Sequence, residues 1–325
     1  MAPRDNLRAT LVAVIWGANF VVIDEGLKGF PPFLLLAARF LLVTFPLIFF
    51  IPRPGRWRDI LLIGTFMSLG QFGLLYLALH LGLPTGLASL LVQVQVMFTI
   101  GLSRVVLAEH PTRQQLLGVG IGLSGLAVLV VGRGSHTPLG PVMLSIAACL
   151  AWSIGNVLSR RSQMKSGLAL TVWSGVVVPI PALAVALLIN GSHEVGHALT
   201  HVGWLTIFST LYTVIAASLF GYGTWNSLLS RYPVASVVPF TLLVPVAGIA
   251  SAWIVLGQAP TGAELLGGVV LLAGVATATL QRASATRQRV AARPVASSAD
   301  PYPASAPPAP QPPGSPLSPL PASPE

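Results

Sequence analysis

Polar side chains within otherwise apolar stretches are the first candidates for chemistry in this sequence. Arg39 follows Pro32 by seven residues, which is about 10 Å along a helix at roughly 1.5 Å per residue. An arginine near the centre of a bilayer costs about 2.5–3.5 kcal/mol on insertion scales, so it needs a partner or a route to the surface. Asp24 and Glu25 end the preceding apolar stretch, and we expect them to form a structural or gating ion pair with Arg39. Contact between Arg39 and the carboxylate of a small-molecule ligand is the alternative.

Two tryptophan–asparagine pairs suggest a binding surface. Trp16 and Asn19 are three residues apart and Trp152 and Asn156 are four apart, so each pair shares one face of a helix. An indole beside an amide offers a flat apolar wall together with a donor and an acceptor, which suits a small zwitterion such as an amino acid. Hydrogen bonding between helices explains the two pairs equally well.

Further residues complete the set of candidate cavity-lining side chains: Gln71, Tyr76, Gln93, Gln95, Tyr222, Trp225, Asn226 and Thr241. Gln93 and Gln95 are two apart on one predicted helix, so only one of them is expected to face a cavity. Pro239 and Pro245 each leave one backbone carbonyl without its helical N–H donor, and for Pro245 that carbonyl belongs to Thr241. Because free carbonyls in hydrocarbon must face protein or water, we expect a kink there, either beside a pathway or purely mechanical.

No group of residues resembles a catalytic centre. The apolar stretches contain no nucleophile–histidine–carboxylate set and no glycine-rich phosphate loop, and the single cysteine, Cys149, excludes an internal disulfide. His193, His197 and His201 are spaced by four and could bind a metal from one helical face. We expect an exposed loop there instead. We therefore expect no bound metal and no cofactor, and we expect that the protein is not an enzyme.

The composition indicates an integral membrane protein. Of its 325 residues, 54% are hydrophobic and only 8% are charged, against about 25% charged in a soluble domain. A crossing helix needs about 20 apolar residues, and ten such stretches follow one another: residues 7–23, 32–51, 60–79, 84–107, 114–131, 139–158, 168–189, 204–229, 234–256 and 261–280. The predicted fold class is therefore an all-α membrane protein with ten transmembrane helices.

The basic residues predict the orientation of the chain in the bilayer. Of the 18 Lys and Arg residues, all but Lys28, Arg133 and Arg39 fall in the terminal segments and loops that would face the cytoplasm if the amino terminus does. This positive-inside bias predicts that both ends are cytoplasmic, in the inner (plasma) membrane. The net charge of +9 therefore points to a lipid bilayer as the partner, and nucleic acid is excluded.

An internal repeat divides the chain into two halves. An offset of 149 residues superposes Pro111-Thr112 on Pro260-Thr261, and it also superposes residues 116–118 on residues 265–267. Each half has five predicted helices, and since five is odd the second half must be inverted in the membrane. Inverted repeats are typical of secondary transporters, which bind substrate at the midplane between the repeats. A membrane enzyme or scaffold with the same fold is the alternative.

These patterns predict three regions. Residues 1–133 form the first repeat with helices one to five, and residues 134–281 form the second with helices six to ten. Residues 282–325 are rich in proline and alanine without apolar periodicity, so they cannot bury a core. We expect them to be a disordered cytoplasmic tail.

Four segments carry a resemblance to a known family: WGANFVVIDEGL (16–27), PPFLLLAARF (31–40), PTGLASLLVQVQVMFTI (84–100) and GYGTWNSLLSRYPVASVVPFTLLVPVAGIASAW (221–253). They resemble the EamA family of the drug/metabolite transporter superfamily, from about Leu7 to Leu280. The family usually has an acidic Gly-Glu-type turn after helices four and nine. Here the first turn reads Leu107-Ala108-Glu109, whereas the second reads Leu256-Gly257-Gln258 and has no carboxylate.

The resemblance implies a ten-helix inner-membrane exporter that works by alternating access around a central cavity. Its implied substrates are small amino-acid metabolites such as O-acetylserine and cysteine. A carrier for other amino acids, purines or other metabolites is the near alternative. The driving force, proton antiport or facilitated efflux, stays open, as does the oligomeric state.

Overall fold

The computed structural model describes residues 1–132, 137–163 and 167–280, and every regular element in those ranges is helical. The predicted tail at residues 282–325 lies outside them. We number the helical segments α1 (Pro3–Leu27), α2 (Pro32–Thr44), α3 (Trp57–His80), α4 (Thr85–Val106), α5 (Arg113–Val131), α6 (Leu139–Ser162), α7 (Gly167–Val177 with Pro179–Thr200), α8 (Trp204–Arg231), α9 (Val238–Leu256) and α10 (Gly262–Thr279).

The described part of the chain contains eight helices that are long and apolar enough to cross a membrane. The two parts of α7 are bent by 40° and add a ninth if they are counted as one span. The segment α2 is apolar but has only 13 residues, or roughly 20 Å. The all-helical, multi-pass class predicted from the sequence is confirmed, and the number of ten spans stays a prediction.

The second helix is shorter than the sequence predicted. A continuous helix over residues 32–51 was expected, but α2 ends at Thr44 and turns follow. Pro46 explains the difference, because proline has no N–H to donate to the carbonyl of the preceding turn. The carbonyl of Thr44 instead accepts from the N–H groups of Leu47 and Ile48, at 3.2 and 2.9 Å.

One further expectation about local structure was wrong, and a second stays a prediction. The segment with His193 and His197 is helical rather than a loop, since α7 continues to Thr200 beyond a break at Gly191 (φ 77°, ψ 161°), a conformation open mainly to glycine. Near α9, Pro239 lies in a 3₁₀ segment and Pro245 in the first turn of the following α-helix. Both prolines thus lie within two residues of a change between α- and 3₁₀-helix, and the kink expected there stays a prediction.

The segments α5 and α10 pack backbone against backbone through glycines. A Cβ atom on Gly118 would lie 2.7 Å from the Gly274 carbonyl oxygen, and one on Gly125 would lie 2.8 Å from that of Gly267. The sequence offset pairs Gly118 with Gly267 and Gly125 with Gly274. Gly118 therefore contacts the counterpart of Gly125, and Gly125 contacts the counterpart of Gly118. This reciprocal pattern is that of a two-fold contact, and it requires α5 and α10 to be antiparallel.

Other features recur at the same offset of 149 residues. The N-caps Thr112 and Thr261 both form a capping box with the residue three positions later. Ala108 and Gly257, which follow α4 and α9, both have positive φ angles, of 54° and 68°. In the third and eighth helices, π-helical turns occupy Gly64–Gly70 and Tyr212–Tyr222. The sequence repeat is therefore also a repeat of backbone conformation.

Candidate functional site

Three aromatic side chains, Trp16, Tyr222 and Trp225, form what we call the aromatic group. The Trp16 ring lies 5.4 Å from that of Tyr222 and 5.3 Å from that of Trp225, in tilted arrangements. The Trp16 indole N–H donates to the carbonyl of Ala217 at 2.9 Å. A Cβ atom on Gly221 would lie 2.5 Å from that indole nitrogen. Helix α8 thus holds the Trp16 ring through one carbonyl and one glycine.

A continuous series of hydrogen bonds, which we call the polar chain, connects α1, α8, α2 and α3. Thr213 Oγ1 donates to Asn19 Oδ1 at 3.1 Å, and Ser218 Oγ donates to the Thr213 carbonyl at 2.8 Å. Arg39 donates from Nη2 to Ser218 Oγ and from Nη1 to Tyr76 Oη, both at 3.0 Å. All five residues are buried, so these bonds compensate much of their desolvation.

Aromatic rings also surround the Arg39 guanidinium. Its central carbon lies 4.1 Å from the centroid of the Phe72 ring and 5.3 Å from that of Phe40. The side chain is 3% exposed. Ring faces attract a cation, but they accept none of its N–H groups. The Nε atom has no hydrogen-bond partner among the described residues.

The ion pair predicted between Arg39 and Asp24 or Glu25 is not formed in this structure. Glu25 pairs instead with Lys28 at 2.5 Å, one turn further along the chain and closer to solvent. That hydrogen bond raises the pKa of Lys28. Gly26 packs against Leu35, so Arg39 lies about one helical turn deeper than Glu25. For Glu25, a pair with Lys28 has a lower desolvation cost than a pair with Arg39, because Lys28 lies closer to solvent.

A second polar group lies between α4 and α6. Asn156 Nδ2 donates to Gln95 Oε1 at 3.1 Å, and Thr99 donates to the same oxygen at 3.4 Å. Ser153 Oγ donates to the Gln95 carbonyl at 2.7 Å. Gln95 therefore faces α6, whereas Trp152, the other predicted residue of that helix, packs against the hydrophobic core.

Among the described residues, the remaining predicted ones form no hydrogen bond with the polar chain or with the group around Gln95. Gln71 and Gln93 are buried, and no described hydrogen bond involves either side chain. The Asn226 amide lies against the backbone of Gly167, at the start of α7. Thr241 donates to the carbonyl of Val238 at 2.7 Å, within its own turn.

The histidines do not form a metal site in the described structure. His197 and His201 stack with their ring centroids 4.2 Å apart. No group of three or more His, Cys, Asp or Glu residues in residues 1–132, 137–163 and 167–280 is arranged to hold a metal ion.

Sequence reasoning missed Thr213, Ser218 and Phe72. All three lie in or directly after the π-helical turns of α3 and α8. Threonine and serine within an apolar run usually bond to their own helix, so they gave no signal. The offset of 149 residues was an available signal, because it pairs Tyr76 with Trp225 and therefore marks α3 and α8 as equivalent walls.

Repeated helical units with buried polar groups where they meet define a class of protein. It is a multi-pass membrane protein with the architecture of a secondary transporter. The sequence matches the EamA-like transporter family twice, at residues 6–131 and 139–280, and the chain belongs to that family. This membership confirms the resemblance found in the sequence, and with it the prediction of a transporter in place of an enzyme.

Several relatives span most of the chain. A protein of Salmonella typhimurium named probable amino-acid metabolite efflux pump is 41% identical over 282 residues, covering 85% of this chain and 94% of the relative. A protein of Escherichia coli K12 with the same name is 38% identical over the same shares. A probable terminal-alkyne amino-acid exporter of Streptantibioticus cattleyicolor is 28% identical, over 82% and 90%. One crystal structure, 19% identical, shares the fold with a TM-score of 0.61 over 89% of this chain and 99% of the other.

Proposed function

We propose that the protein exports small amino-acid metabolites of the O-acetylserine and cysteine type across the inner membrane. The observation that carries the proposal is its 41% identity, over 94% of the relative's length, to a probable amino-acid metabolite efflux pump. The buried polar and aromatic side chains between its helices support it, because a zwitterion needs hydrogen bonds and its apolar part needs a wall.

The proposed architecture has ten membrane spans with both ends in the cytoplasm. Residues 1–133 and 134–281 form inverted repeats, and residues 282–325 form a cytoplasmic tail. The antiparallel contact of α5 with α10 supports the inversion, since related helices of parallel repeats would run the same way. Export then proceeds by alternating access, in which the two repeats move against each other around a fixed site within the lipid bilayer.

The proposed substrate site lies between two walls. One wall comprises the aromatic group and the polar chain of α1, α2, α3 and α8, with Gln71 beside them on α3. The other comprises Gln95 and Asn156 of α4 and α6, which bond to each other, with Trp152 behind. Asn226 contacts Gly167 and Thr241 bonds to Val238, so their role as lining residues stays a prediction from the sequence.

Uptake into inside-out membrane vesicles tests the function, because export in the cell becomes uptake in that geometry. Vesicles with the protein should accumulate labelled cysteine and O-acetylserine faster than vesicles from cells without it. The rates with and without an imposed proton gradient separate proton antiport from facilitated efflux.

Two further comparisons make the result specific. A labelled purine and a large amino acid should enter no faster than into the control vesicles. Folded protein without uptake of either cysteine or O-acetylserine would contradict the proposal, and purine uptake would favour the alternative specificity.

A further inference from the structure

Arg39 carries a buried charge that the described residues do not neutralise. None of the ion pairs in the described ranges involves it, and its two hydrogen-bond acceptors, Tyr76 and Ser218, are neutral hydroxyls. Arginine stays protonated in proteins. A buried cation without a counterion is unfavourable, so its surroundings favour an anion.

The donors of Arg39 are only partly used. A guanidinium has five N–H groups in one plane, and the described hydrogen bonds take one from Nη1 and one from Nη2. The buried Nε atom has no partner. Two parallel N–H groups of a guanidinium match the two oxygens of a carboxylate. The position thus offers an unused bidentate edge for a planar anion.

The position also lies where the backbone departs from regular helix. Ser218 belongs to the π-helical turns Tyr212–Tyr222, and Phe72 and Tyr76 follow those at Gly64–Gly70. Such turns occur frequently at functional sites. Trp16 bonds to Ala217 and Arg39 to Ser218, so adjacent residues of α8 hold the aromatic group and the cation together.

We propose that Arg39 binds the α-carboxylate of the transported metabolite. The carboxylate takes the free Nε edge and replaces the Ser218 hydroxyl as an acceptor, while the aromatic group contacts the rest of the ligand. In the unloaded protein the two hydroxyls hold the guanidinium in place. This inference rests on the proposed function and adds the chemical group that every substrate must carry.

Ligand pairs that differ only at the carboxylate give the sharpest test. Purified protein should bind cysteine at least 10-fold more tightly than cysteinamide, which has the same size but no negative charge. In Arg39→Gln the dissociation constant of cysteine should rise to that of cysteinamide, whose own value should change less than twofold. A purely structural role of Arg39 would weaken both ligands equally.

Two more variants keep the outcome decisive. Arg39→Lys retains the charge but not the planar guanidinium, so it should lose most of the preference for cysteine over cysteinamide. It replaces Arg39→Gln in the test if that variant does not fold. Ser124→Ala removes an exposed hydroxyl of α5 that donates to the Ile121 carbonyl of its own helix, and it should retain the preference. An unchanged preference in both Arg39 variants, or a wild-type protein that transports cysteine but does not distinguish it from cysteinamide, would overturn the inference. Absence of cysteine binding and transport in the wild type would instead refute the proposed function.

Discussion

A guanidinium buried in a membrane protein is stable only where acceptors from several helices reach it together. The position of Arg39 within an apolar stretch was evident from the sequence, and so was its need for a partner. The partners themselves were predicted wrongly, because Asp24 and Glu25 are near in topology but a turn too shallow. Tyr76 was selected for another reason, and Ser218 was missed. Burial is thus predictable from hydropathy, whereas the choice of partner depends on how α2, α3 and α8 are rotated.

The Trp16 indole gives a prediction at the same scale. The substitution Gly221→Ala would place a methyl group 2.5 Å from Trp16 Nε1, and such overpacking costs about 1–3 kcal/mol. The ring must move off the Ala217 carbonyl, so export of cysteine should fall several-fold at normal folded yield. Initial rates in inside-out vesicles, normalised to folded protein by size-exclusion chromatography, measure this.

The matched control is Gly223→Ala, two residues along α8, where an added Cβ atom would meet nothing within 4 Å. Its transport rate should equal that of the wild type. Equal rates for both variants would mean that the orientation of Trp16 does not matter for export.

At the scale of elements, helix boundaries were predictable where proline or a cap determines them. The capping boxes at Thr112 and Thr261 start α5 and α10 within one residue of the predicted limits. The end of α2 was predicted too late, although Pro46 stands in the sequence, because apolar residues continue past it. Hydropathy measures solubility in lipid and does not register the loss of one backbone donor.

The two turns after α4 and α9 share a backbone but differ in side-chain contacts. Glu109 Oε1 accepts a hydrogen bond from Arg160 Nη2 at 2.5 Å. The equivalent residue, Gln258, accepts from the backbone and hydroxyl of Thr85, both at 3.1 Å. The missing carboxylate in the second repeat is therefore replaced by a neutral contact that ties α9 to the start of α4.

The contact between α5 and α10 gives the prediction at this scale. In Gly125→Leu the side chain would enter the space occupied by the Gly267 carbonyl, 2.8 Å from the new Cβ atom. Small residues allow such close approach of membrane helices, so the variant should separate them. We expect the midpoint of thermal unfolding in detergent to fall by several degrees, or the folded protein to be lost.

Gly120→Leu serves as the control on the same helix, because a Cβ atom there meets nothing within 4 Å. Its unfolding midpoint should stay within about one degree of the wild type, since lipid-facing glycine contributes no packing. A similar loss of stability in both variants would indicate that helix propensity, and not the contact with α10, decides the result.

At the scale of the whole molecule, two sets of polar contacts each join one helix of the first repeat to one helix of the second. Asp5, on α1, accepts from Arg231 at the end of α8 and from Tyr232 just after it. Arg160, on α6, bonds to Ser103 of α4 and to Glu109. Under the proposed topology both clusters lie at the cytoplasmic face, where they hold α1 to α8 and α4 to α6. Moving the repeats apart on that side would require these charged contacts to break.

Reporter fusions test the inverted topology directly. A fluorescent protein that matures only in the cytoplasm should fluoresce when it is fused after Leu280 and stay dark when it is fused after Gly132. Alkaline phosphatase at the same two positions should show the opposite pattern. Phosphatase activity after Leu280 would contradict both the inversion and the cytoplasmic location of the tail.

The sequence alone determined the class of protein, the order of its helices, the repeat and the family, because composition, apolar length and spacing are local properties of the chain. The tertiary structure decided the partners of Arg39, the polar chain and the reciprocal glycine contacts of α5 with α10. In a bilayer, residues that face lipid and residues that face other helices are both apolar. Hydropathy therefore leaves the rotation of each helix undetermined, and it is that rotation which brings the polar side chains together.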